Sequence, residues 1–251
     1  MIRRLLSVRG LAAGLLALVM TGCAQMPGGT SDSERLNNAI AIDDVGFVQE
    51  AVRAGRLGVN QQIAAPGYME GAPLILIAAK YGALNTLRFL ISAGANVNAQ
   101  AATGETALML ASYFSGEERS NERHERAVRM LVEAGASLEN DPGNYTALAY
   151  AAYQGHLRIV RYLLERGARV DADADNGVAY VNTPLMMAAM QGHRDTALWL
   201  LRSGADPRTR IVRGHSASEL AIKNNHSNVL GLLRCAERLA PGESFAMRCE
   251  R

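Results

Sequence analysis

The sequence predicts an all-α solenoid of about six helix–turn–helix repeats with finger loops between them. Three observations support this. First, one amphipathic pattern recurs. In the stretch from Thr146 to Ala172, Leu148, Ala151 and Ala152 share one helical face, and Ile159, Val160, Leu163 and Leu164 form a second stripe beyond Gly155. The same register returns around Ile40, Ala79, Ser112, Ala189 and Ile222. Second, glycines placed to end the second helix stand at Gly55, Gly94, Gly135, Gly167 and Gly204, separated by 39, 41, 32 and 37 residues. That spacing fits a unit of about 33 residues carrying insertions. Third, 49% of the residues are hydrophobic but only 5% are aromatic, a balance suited to closely packed Ala- and Leu-rich helices. One such helix pair cannot cover its own apolar face, so neighbours of the same kind are required.

The repeat resembles the ankyrin repeat family. The matching residues are Thr183-Pro184-Leu185, Ala151-Ala152, Ala188-Ala189, Gly155-His156, Gly192-His193 and the Gly-Ala pairs starting at 94, 135, 167 and 204, over roughly residues 33–238. The resemblance implies a protein partner bound on a concave face built from finger loops and first helices. The variable positions after the Ala-Ala pair would face it: Lys80 and Tyr81, Tyr113 and Phe114, Tyr153 and Gln154, Met190 and Gln191. The finger residues Asn144, Tyr145, Asp175, Tyr180 and Asn182 would flank them. Many members place a histidine after Thr-Pro-Leu. Leu76, Met109, Ala149, Met186 and Glu219 stand there in this chain, so apolar packing is expected to carry more of the stability.

Residues 1–22 have the parts of a secretory signal: Arg3, Arg4 and Arg9, then a short apolar run from Leu11 to Met20. Leu18 to Cys23 resembles a bacterial lipoprotein lipobox, with Met20 in place of the usual leucine. That resemblance implies diacylglycerol and an acyl chain on Cys23. Ala24 rather than Asp then suggests an outer-membrane lipoprotein facing the periplasm. Residues 23–33 read as a flexible tether. Residues 34–60 form a polar, degenerate capping repeat, followed by a long finger loop over 56–72. The repeats 71–100, 103–139, 143–172 and 180–208 follow, then a C-terminal capping repeat over 213–238 and a tail over 239–251. Repeat three carries the charged insert 115–126, read as a solvated helical extension that includes His124. Repeat four ends in a long finger where Asp171, Asp173 and Asp175 alternate. The glycine and closing acid of a calcium loop are misplaced there, and Asp and Asn also suit turn geometry.

With Cys23 assigned to lipid, Cys235 and Cys249 form a candidate disulfide in an oxidising compartment. Without the signal arginines the chain has 23 basic against 24 acidic side chains, so no basic field favours nucleic acid. No nucleophile–base spacing, metal-ligand pattern or phosphate loop is present, so neither an enzyme nor a cofactor is expected. The expected function is a monomeric protein-binding module held by lipid in the bacterial envelope. It would be an immunity or inhibitor protein against a periplasm-acting enzyme, or a scaffold for an endogenous envelope enzyme such as one in peroxide defence.

Overall fold

The computed structural model describes residues 32–114, 118–139, 145–172, 183–210, 214–240 and 243–249, with the backbone alone at 118–120. Six helix pairs follow one another among them: α1 (Asp32–Ala41) with α2 (Val45–Arg53), α3 (Leu74–Tyr81) with α4 (Leu84–Ser92), and α5 (Ala107–Ser112) with α6 (Glu118–Glu133). The last three are α7 (Ala147–Gln154) with α8 (Leu157–Glu165), α9 (Pro184–Gln191) with α10 (Arg194–Arg202), and α11 (Ala217–Lys223) with α12 (Ser227–Glu237). First helices touch first helices, from α3 through α5, α7 and α9 to α11. Second helices touch second helices, from α2 through α4, α6, α8 and α10 to α12. The interior between the two layers is continuous. It holds fully buried Leu74, Leu87, Leu90, Leu108, Leu131, Leu148, Val160, Leu163, Leu185 and Leu200. Alanines at the close approaches, Ala78 and Ala79, Ala151 and Ala152, Ala188 and Ala189, have no exposed surface. Small side chains let the first helices approach closely enough to exclude water.

Hydroxyl caps set the starts of four first helices, α5, α7, α9 and α11. Thr106 accepts from Met109 N, Thr146 from Ala149 N, Thr183 from Met186 N and Ser216 from Glu219 N, at 3.2–3.3 Å. Each bond satisfies an amide that the helix cannot satisfy itself. Repeat six therefore keeps its cap without Thr-Pro-Leu, and the Glu219 carboxylate closes a capping box onto Ser216 N.

Several details depart from the sequence reading. The finger over 56–72 contains an antiparallel hairpin of β1 (Gln62–Ala65) and β2 (Tyr68–Pro73) in an otherwise helical unit. The helix α1 begins at Asp32, so the helical part starts inside the proposed tether. The tail contains a short helix, α13 (Phe245–Cys249). The expected disulfide, by contrast, is present, with Cys235 bonded to Cys249 and their Cα atoms 5.7 Å apart. The insert does extend a helix, since α6 has 16 residues where α8 has 9. His124, however, is 4% exposed and belongs to the interior, not to a solvated face.

Two ladders of hydrogen bonds link successive repeats. In one, a histidine Nε2–H donates to a backbone carbonyl of the preceding repeat: His124 to Lys80 at 3.1 Å, His156 to Phe114 at 2.8 Å and His193 to Tyr153 at 3.0 Å. In the other, a finger side chain accepts an amide of the next repeat. Asn60 takes Asn96 N at 2.7 Å, Asn98 takes Ser137 N at 2.7 Å, Glu139 takes Arg169 N at 2.7 Å and Asp171 takes Asp206 N at 3.0 Å. Each bond spans a full repeat and contributes about 1 kcal/mol net.

The histidine ladder explains which turns use glycine. Gly155 and Gly192 are left-handed, with φ of 74° and 77°, and a Cβ on either would lie 2.5 Å from the Nδ1 of His193 or His226. Gly82, φ 61°, faces His124 in the same way at 3.2 Å. Asp43 and Asn225 hold the equivalent left-handed positions without glycine, at φ 59° and 61°. At Asp43 the following repeat has Ala83, so no ring arrives, and the Asp43 carboxylate instead accepts Asn85 N and Thr86 N at 3.0 and 2.9 Å.

Burial holds His156 and His193 below the usual histidine range, against the opposing effect of their carbonyl bonds. Both are neutral in the folded chain at neutral pH. A histidine whose pKa is depressed on folding contributes stability above its unfolded pKa, about 6.5, and loses it as pH falls towards the folded value. The urea midpoint is therefore expected to fall between pH 7.5 and pH 5. The fall should be smaller in His193→Gln, which keeps a donor but cannot titrate.

Candidate protein-binding face

The first-helix layer presents a cluster of half-buried tyrosines drawn from three consecutive repeats. Tyr68 comes from β2 and Tyr81 from the end of α3. Tyr113 follows α5, Tyr145 precedes α7, and Tyr150 and Tyr153 lie on α7. Six of the chain's eight tyrosines fall here. Tyr113 lies edge-on to Tyr150 at 4.9 Å between ring centroids and tilted against Tyr153 at 6.0 Å, while Tyr145 meets Tyr150 at 5.8 Å. Lys80 Nζ sits 5.2 Å over the Tyr68 ring and donates to the Pro66 carbonyl at 3.0 Å. Glu105, on the loop before α5, lies among these rings. It takes a hydrogen bond from the Tyr68 hydroxyl, and its charge acts on Tyr68, Tyr113 and Tyr150. Burial is the first cause that raises all three phenols; the Glu105 charge comes next for Tyr68 and Tyr150, whereas for Tyr113 the neighbouring Tyr153 precedes it, and Tyr150 is pushed up to about 12. The phenols stay protonated at neutral pH and can donate hydrogen bonds.

The structure brings together Lys80, Tyr81, Tyr113, Tyr145 and Tyr153 from the sequence expectation. Met190 and Gln191 continue the same positions one repeat further along, both partly exposed. Gln154 is partly accounted for within the fold, since its Nε2 donates to the Tyr113 carbonyl at 3.3 Å. Phe114 requires a correction. It is 7% exposed and stacked between His124 and His156, at 4.3 and 3.8 Å with interplanar angles of 12° and 5°. Here α5 is capped by Tyr113 at φ −103°, and the phenylalanine ring fills the space between two rungs of the ladder. Phe114 is a packing residue and not part of the exposed face. Cys23, Asn144, Asp175, Tyr180 and Asn182 lie outside the described residues.

Sequence reasoning missed Tyr68, Glu105 and Tyr150 as members of the cluster. Tyr150 precedes Tyr153 by one helical turn, which places both on one face. Tyr68 and Glu105 belong to loops, where no periodicity announces which way a side chain faces.

Aromatic side chains gathered on one face of a preorganised frame bury large area at low conformational cost, which is the signature of an interface centre. No group of three or more metal-binding side chains occurs among the described residues. The fold and face together define a helical-repeat binding protein. A sequence model of the family described as Ankyrin repeats (3 copies) matches residues 39–141, 75–176 and 118–211, overlapping segments that cover most of the chain. The chain belongs to the ankyrin repeat family, whose domains act generally as protein–protein interaction modules rather than catalysts. No curated protein matches it.

Proposed function

We propose that the chain is a non-enzymatic, monomeric inhibitor or immunity protein, anchored through lipid on Cys23 at the periplasmic side of the outer membrane and binding its target through the tyrosine face. The tyrosine cluster across three repeats is the observation that carries this reading. Two hydrogen-bond ladders hold that face in place, so little ordering is left to oppose association. The anchoring part rests on the sequence of residues 1–23. Several acyl chains, at about 0.8 kcal/mol for each buried methylene, hold a protein firmly on a bilayer.

Anchoring is tested by growing a Gram-negative host that expresses the chain with labelled palmitate. Label is expected in the wild type, which should float with outer-membrane fractions, and absent from Cys23→Ser. An unlabelled, freely soluble wild type contradicts the anchor. For the inhibitor role, the captured partner is assayed alone and in the complex. An enzyme silenced on binding supports inhibition, whereas a partner whose activity is unchanged supports the scaffold reading.

A further inference from the structure

We infer that the tyrosine face takes a cationic side chain, an arginine or lysine of the protein partner, seated among Tyr68, Tyr113 and Tyr150 against the carboxylate of Glu105. This deepens the proposed function and rests on its assignment of the face. The argument begins with what a partner does to Glu105. The carboxylate is half-buried, accepts from Thr103 Oγ1 at 3.0 Å and from the Tyr68 hydroxyl, and forms no ion pair among the described residues. In the free chain, water solvates the rest of it. A partner covering the tyrosines removes that water. A covered carboxylate without a counter-charge strongly opposes binding, and hydrogen bonds from neutral hydroxyls do not cancel its charge. The partner therefore has to bring a positive charge to this point.

The surrounding rings favour the same occupant. Aromatic faces carry negative potential, which attracts a guanidinium or an ammonium group and repels an anion. The Tyr68 ring already draws one cation, Lys80 Nζ at 5.2 Å, which is held by the Pro66 carbonyl and forms no ion pair with Glu105. A guanidinium could stack on a tyrosine face while its N–H edge meets the carboxylate. Charge then sets the register of the complex. A partner offering an acidic or neutral residue here is rejected, because Glu105 is left desolvated and unpaired.

The test uses the full chain and two blocked tripeptides, Gly-Arg-Gly and its citrulline counterpart, which has nearly the same shape without the charge. Tyrosine ring resonances are followed by NMR during titration. The arginine peptide is expected to shift the rings of Tyr68, Tyr113 and Tyr150 at millimolar concentration, and the citrulline peptide to need at least ten times more. Glu105→Gln keeps the hydrogen bonds from Thr103 and Tyr68 but removes the charge. It should weaken the arginine peptide about tenfold without changing thermal unfolding. Equal response to both peptides, no response, or undiminished binding by Glu105→Gln overturns the inference. Failure here is separable from failure of the face itself. If an isolated partner is lost on Tyr113→Ala but retained on Glu105→Gln, the face stands and the cation does not.

Discussion

Truncating Tyr113 and Tyr153 together to alanine is expected to weaken partner binding at least 100-fold while leaving the fold intact. Tyr113 sits at the centre of the cluster, in ring contact with both Tyr150 and Tyr153. Central aromatic anchors in a preorganised interface each cost about 2 kcal/mol or more on truncation, and a factor of ten in affinity corresponds to about 1.4 kcal/mol. Neither ring is among the fully buried core side chains, which include Leu108, Leu148 and Met109. The loss of stability should therefore remain within about 1 kcal/mol. Isothermal titration against the isolated partner, with a urea melt of each variant, separates the two effects. An affinity within threefold of wild type would remove the tyrosine face from the account.

The second large effect is on stability. Gly155→Ala is expected to cost about 3 kcal/mol, seen as a fall in melting temperature of roughly 6–12 °C for a chain of this size. Two terms add. A side chain in the left-handed region costs about 1–2 kcal/mol. The new Cβ would also lie 2.5 Å from the His193 ring, which must move and so loses its bond to the Tyr153 carbonyl. That bond contributes about 1 kcal/mol. Gly94→Ala is the control. Its φ is 85°, but nothing lies within 4 Å of the added carbon, so only the backbone term applies. Equal losses at the two positions would show that the ring contact contributes nothing. Combining Gly155→Ala with His193→Ala removes the clash, so the double variant should lose less than the sum of its parts.

The repeating core was largely legible in the sequence, because it rests on short-range patterns. Leu148, Ala151 and Ala152 mark a helical face wherever they occur, and Gly155 before His156 marks a helix end. What repeats do to one another was harder to read. His124 looked like part of a charged insert because its neighbours Arg123, Glu125 and Arg126 are charged; its partner, the Lys80 carbonyl, lies 44 residues away. Phe114 followed a tyrosine at a position expected to face a ligand, and its burial depends on His156, 42 residues on from the bond it accepts. The site divides in the same way. Tyr113 and Tyr153 follow from the repeat register, whereas Tyr68 reaches the cluster only because the finger folds back as a hairpin, with Gln62 opposite Pro73 and Ala65 opposite Tyr68. Glu105 had no periodicity to mark it, and its importance comes from the three tyrosines drawn from separate elements around it.

The central claim is that the first-helix face, and not the second-helix layer, meets the protein partner. Site-specific photo-crosslinking in the producing cell tests it most directly. A benzophenone amino acid replaces Tyr113 in one variant and Trp199, on α10 in the other layer, in a second. The expected result is one discrete protein adduct from position 113 and none from position 199. Adducts from position 199 with none from position 113 would contradict the account.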